Sequence, residues 1–93
     1  MDEKRKILTI TEFSEKTGIS TDDLRYLLEN KYIFALHNKT TNDYIIPNSR
    51  ILEIDNILEK TKNDGIEYID KIIKKNGEHH YIRKNTLDNI INL

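Results

Sequence analysis

The feature that most constrains this chain is one glycine set between two short amphipathic stretches, at Thr17-Gly18-Ile19-Ser20. Gly18 suits the left-handed backbone that follows a helix, where a side chain would clash. Upstream, Thr11 reads as a helix cap, with Ser14 in place of the acidic partner of a capping box and Phe13 on the apolar side. Downstream, Ser20 or Thr21 caps a second helix, with Asp22 and Asp23 at the positive end of its dipole. Leu24, Leu27 and Leu28 recur at i, i+3 and i+4 and make one apolar stripe, leaving Arg25, Tyr26 and Glu29 off it. The pattern describes a helix-turn-helix.

Beyond it, Tyr32-Ile33-Phe34-Ala35-Leu36 is aromatic and β-branched and reads as a strand. His37 to Asp43 is a polar tip, and Tyr44-Ile45-Ile46 is a second strand, stopped by Pro47, which cannot donate to a ladder. A hairpin directly after a helix-turn-helix is a wing. Ser49 then caps a third helix, from about Arg50 to Lys60, with Ile51, Leu52, Ile54, Ile57 and Leu58 on its apolar face. The spacing of Ile66, Ile69, Ile72 and Ile73 predicts a fourth helix over Ile66 to Lys75. A short strand, His79 to Ile82, and a last helix from about Asn85 complete the chain.

The two halves resemble each other. Glu15-Lys16-Thr17 recurs as Glu59-Lys60-Thr61, the Leu24/Leu27/Leu28 pattern as Ile69/Ile72/Ile73, and Tyr44-Ile45 with Asn48-Ser49 as Tyr81-Ile82 with Asn85-Thr86. The offsets are 44 or 45 positions in the helices and 37 at the strand. Either the chain is a duplication, or it is one winged helix with an unrelated extension. The expected fold is mainly α with small β-hairpin wings: a winged helix-turn-helix that admits two tandem winged-helix repeats. Its divisions are an arm over residues 1–8, a winged module over 9–52, and a second module over 53–93 packed on the first.

Composition bounds the function. The chain of 93 residues has no cysteine, one proline and three glycines, so its thin core has neither disulfides nor a thiolate metal site to supplement it. No apolar run approaches the roughly 18–20 residues that span a bilayer, and the one after the charged start is too short for a signal peptide. A cytoplasmic location without membrane contact is expected. Fifteen Lys and Arg against sixteen Asp and Glu give a net charge of −1, which argues against non-specific nucleic-acid binding more than against a small specific reader.

The stretch Leu8 to Ile33, LTITEFSEKTGISTDDLRYLLENKYI, resembles the N-terminal domain of MerR-type regulators and the related phage excisionases. Ile10, Glu12, Phe13, Thr17, Gly18, Ile19, Ser20, Leu24, Arg25, Tyr26 and Glu29 match that pattern, and Asn63 to Lys75 resembles the helix pair that follows the wing there. The resemblance covers residues 8–75. It implies a winged-helix fold with the second helix in the major groove, the wing on backbone or minor groove, and Arg25 and Tyr26 on DNA. Leu27 stands at the family's second aromatic position, Ile45 at the wing's arginine, and Asp22 and Asp23 where neutral or basic residues are usual.

The candidate site residues each carry a plainer alternative. Arg25 and Tyr26 lie off the core stripe, where an arginine bridges phosphate or reads guanine; Arg25 would otherwise pair with Asp22 or Glu29 at helical spacing. Ser20 and Thr21 suit phosphate at a helix N-terminus, or act only as caps. Asn38, Lys39, Thr40 and Thr41 form a polar tip that fits DNA backbone or the minor groove, or merely solvent. Arg83 and Lys84, with Lys71, Lys74 and Lys75, would be the basic face of the second module, or a solvated face. His79 and His80 are neighbours on a strand and point to opposite faces, so they do not share a metal ion. No nucleophile–base constellation or phosphate loop is present, so no cofactor and no enzymatic activity is expected. The expectation is a sequence-specific double-stranded-DNA-binding protein, a transcriptional regulator or excisionase-like factor of phage or mobile-element type. It would act as a homodimer or a cooperative multimer on its site. The alternative is a winged-helix protein-binding module, an inhibitor or adaptor, whose acidic second helix faces a basic partner.

Overall fold

The computed structural model describes residues 6–75 and 78–85. Its described part is a mixed α/β unit with three α-helices and two small antiparallel sheets. None of these helices is long and apolar enough to cross a membrane. The chain opens with β1 (Ile7–Leu8), so the expected N-terminal arm ends as a strand paired to β3. The helix α1 (Ile10–Thr17) is capped by Thr9, not by Thr11. Thr9 Oγ1 accepts from the Glu12 amide at 3.2 Å, and Glu12 Oε1 accepts from the Thr9 amide at 3.0 Å. This is a full capping box, two residues earlier than the expected cap. Ser14 instead donates to the Ile19 carbonyl at 2.6 Å, bracing the turn from inside.

Gly18 ends α1 at φ 79°. The next helix, α2 (Thr21–Glu29), is capped by Ser20, whose Oγ accepts from the Asp23 amide. Leu24, Leu27 and Leu28 are buried as one stripe, joined by Phe13, Ile19, Ile33 and Ile46 in one core. Each such side chain contributes about 1.5–3 kcal/mol on burial, so the stripe outweighs any single cap.

The residues after α2 depart from the expected strand. The amides of Tyr32 and Ile33 donate to the Leu27 carbonyl, Lys31 takes φ 64°, and Ile33 is buried while Phe34 is exposed. Tyr32 and Ile33 thus close a helix end and plug the core. The first hairpin strand is β2 (Leu36–Asn38) and the second is β3 (Asp43–Pro47). Leu36 pairs with Ile45 and Asn38 with Asp43, while β1 takes the other edge, in the order β1-β3-β2. Tyr44 and Ile46 face the core; Asp43 and Ile45 face out.

The expected third helix is two pieces. Asn48–Glu53 is a 3-10 helix with no side-chain cap, and α3 (Ile54–Asn63) follows it. Three residues per turn shift the stripe relative to an α-helix: Ile51 is half-buried and Leu52 is 88% exposed, whereas Ile54, Ile57 and Leu58 are buried.

The largest correction lies beyond Gly65. The expected fourth helix over Ile66 to Lys75 is the strand β4 (Tyr68–Lys75), paired antiparallel with β5 (Glu78–Arg83). An isoleucine-rich run of this length satisfies helical and strand spacing alike, and β-branching favours the strand. The stretch matched to α2 in the expected repeat is therefore the strand β4, so the two halves differ at that element. Two local echoes survive: Tyr44-Ile45 and Tyr81-Ile82 both lie in strands, and a threonine closes a helix in each half. Thr17 and Thr61 are both buried at helix ends, donating to the carbonyls of Phe13 (2.8 Å) and Leu58 (2.6 Å). The expected final helix lies outside the described residues except at its start.

The β4–β5 hairpin packs on the helix pair. Tyr81 donates to Asp55 at 2.8 Å, and His80 lies against Gly18 so closely that a Cβ there would meet His80 Nδ1 at 2.6 Å.

Candidate functional site

The two flanks of α2 have different neighbours. On one flank, Thr21 and Arg25 are one helical turn apart and border a cleft of about 560 Å³. The start of α1 supplies Thr9, Ile10 and Thr11 to this cleft, and the β2–β3 hairpin supplies Asn38, Thr41, Asp43, Tyr44 and Ile45. Arg25 is half-buried here. Among the described residues it has no ion pair and no hydrogen bond, although Asp22 and Glu29 lie at pairing distance along the helix. It is the one cation lining the cleft, with Asp43 as the one carboxylate and threonine hydroxyls between them.

On the other flank, Asp23 and the still exposed Tyr26 meet Arg83 of β5. Arg83 Nη2 lies 3.0 Å from Asp23 Oδ1. Its guanidinium sits 5.2 Å from the ring centroid of Tyr26 and 5.9 Å from that of Tyr68. Among the described residues the Tyr68 hydroxyl is buried with no partner in hydrogen-bonding geometry. Burial pushes its pKa up, while the guanidinium beside it pulls the other way.

The expected site residues therefore divide. Thr21, Arg25 and Asn38 meet around one cleft. Ser20 is exposed and serves as the α2 cap. Asn38 has a structural task too: its Oδ1 accepts from the Thr40 and Thr41 amides at 3.0 and 3.3 Å and holds the hairpin tip in shape. Lys39 and Thr40 are exposed at that tip, which Asn42 closes at φ 62°. Tyr26 and Arg83 face each other on the opposite flank, away from the cleft. Lys84 is exposed and pairs with Glu67 at 3.2 Å.

Sequence reasoning passed over Thr9, Thr11 and Asp43 as cleft residues. The Thr9-x-x-Glu12 box was the legible sign that α1 starts early enough to bring its first turn to the cleft. A second groove, of about 600 Å³, runs past Phe34, Arg50 and Lys60 and contains none of the expected site residues. There the Arg50 guanidinium lies 5.5 Å from the centroid of the exposed Phe34 ring.

Comparison of the chain with protein-family models, with curated proteins and with solved structures found no match.

Proposed function

We propose that this protein is a sequence-specific reader of double-stranded DNA with a winged helix-turn-helix architecture, in which α2 is the recognition helix and β2–β3 the wing. The observation that carries the reading is Arg25, a half-buried arginine with no partner among the described residues, in a cleft between helix and hairpin. A guanidinium held there with all its donors free suits a phosphate or the O6 and N7 of guanine. Thr21 adds a hydroxyl one turn away, Asn38 still has its amide donors, and Lys39 brings a charge at the hairpin tip. Phosphate contacts of this kind set register, and base contacts set sequence.

The net charge of −1 fits a reader that relies on few phosphates. If Arg25, Lys39 and a neighbouring cation neutralise about two or three phosphates, the logarithm of affinity falls with the logarithm of salt at a slope of about −2 to −3 per protomer. So small an interface calls for two or more copies on a site, as a regulator or an excisionase-like factor would use. Selection from a random double-stranded DNA pool, at low and at physiological salt, tests this. A defined enriched site with that shallow slope supports the reading. Weak binding without enrichment removes it.

A second reading has its own observation. Leu36 is 68% exposed beside its register partner Ile45, and Phe34 is 76% exposed. Apolar side chains exposed on the hairpin and just before it suit a protein partner, whose capture with no DNA enrichment would favour an adaptor or inhibitor.

A further inference from the structure

The geometry points to Arg83 as a positioning residue for α2, one that locks the helix from behind and leaves Arg25 as its DNA-facing arginine. The role of the lock in binding rests on the DNA reading above; the lock itself rests on geometry alone.

Arg83 lies in β5, opposite Tyr68 in the hairpin register. From there its guanidinium reaches Asp23 at 3.0 Å in the first turn of α2 and lies over Tyr26, one turn further along the same flank. Both members of the ion pair are largely covered, with side-chain exposures of 28% and 18%. Shielding from solvent makes this pair stronger than an exposed one. A planar cation that pairs with a carboxylate while lying over aromatic rings is a task for arginine more than for lysine. The nearby contact of His80 with Gly18 fixes the same strand on the turn that precedes α2. One strand therefore sets both the start and the roll of the helix. Rolling α2 would carry Thr21 and Arg25 out of the cleft they share with the hairpin.

A direct DNA contact by Arg83 and a positioning role predict opposite results for Arg83→Lys. Lysine keeps the charge, so a phosphate contact would survive the change. The lock would not. The test measures Arg83→Lys, Arg83→Ala and the double variant Asp23→Arg with Arg83→Asp. Each is titrated against the duplex that the wild type selects, over a salt series, and the α2 amides of each free protein are followed by hydrogen exchange. We expect Arg83→Lys to bind about tenfold more weakly, the equivalent of one charge-assisted hydrogen bond, with an unchanged salt slope. Its α2 amides should exchange faster, and the charge-reversed pair should recover protection and affinity in part.

Retained affinity in Arg83→Lys, with a salt slope reduced by about 1 in Arg83→Ala, would overturn the proposal in favour of a phosphate contact. Unchanged exchange of α2 in both single variants would overturn it as well. If the wild type selects no duplex, the DNA reading fails while the exchange data still decide the lock. If Arg83→Ala does not fold, Arg83→Lys and the charge reversal carry the decision.

Discussion

Gly18 is held to glycine for two separate reasons. Its φ of 79° costs an L-residue about 1–2 kcal/mol, and any Cβ would also press on His80 across the turn. Only the first reason can be read from sequence, because the second depends on a strand more than sixty positions away. Gly18→Ala should therefore lose more than about 2 kcal/mol in a denaturant titration; a loss below 1 kcal/mol would mean that the hairpin yields freely. Lys31 poses the reverse case, a non-glycine at φ 64°. Relief of about 1–2 kcal/mol of strain, less about 0.4–1 kcal/mol of added unfolded-state entropy, makes Lys31→Gly a net gain of roughly 0.5–1 kcal/mol. A drop in melting temperature for that variant would contradict the assigned backbone. Tyr68 offers a third check. Among the described residues its hydroxyl is buried with no partner in hydrogen-bonding geometry, so Tyr68→Phe keeps the ring beside Arg83 and should be neutral or stabilising by about 1 kcal/mol. Clear destabilisation would show that the hydroxyl has a bond after all.

At the scale of elements, legibility followed the strength of local signals. The helix pair, its glycine turn and the leucine stripe were readable because the α2 cap, the turn and the period agree, whereas the α1 cap was read two residues too late. β5 was readable from its short aromatic run. β4 was not: Ile66, Ile69, Ile72 and Ile73 satisfy a helical spacing, and pairing with β5 decides for the strand. The segment at Tyr32-Ile33 failed in the opposite sense, since apolar residues that seal a helix end look like a strand until their amides are traced to Leu27. Of the site, Thr21, Arg25 and Asn38 were readable because they fall off the core pattern. The burial of Arg83 against α2 was not, because it needs the β4–β5 register. The cap assignment has a simple test. Thr9→Ala should cost about 1 kcal/mol and Thr11→Ala less than about 0.5 kcal/mol, and thermal unfolding of the two variants side by side checks the order.

Across the whole molecule, two small sheets grip the helix pair from different sides. The three-stranded sheet forms the cleft with α1 and α2, and the β4–β5 hairpin holds the far flank of α2. That arrangement leaves an arginine on α2 with no ion pair among the described residues, in a chain whose overall charge does nothing to attract phosphate. Recognition, on this account, depends on Arg25 to an unusual degree. The most direct measurement is a titration of wild type and Arg25→Ala against the selected duplex, with the melting temperature of each protein taken in the same buffer. The account predicts a loss of about ten- to a hundredfold in affinity, the value of one good arginine contact, with stability changed by less than about 0.5 kcal/mol. Equal affinity of the two proteins, at equal stability, would contradict it.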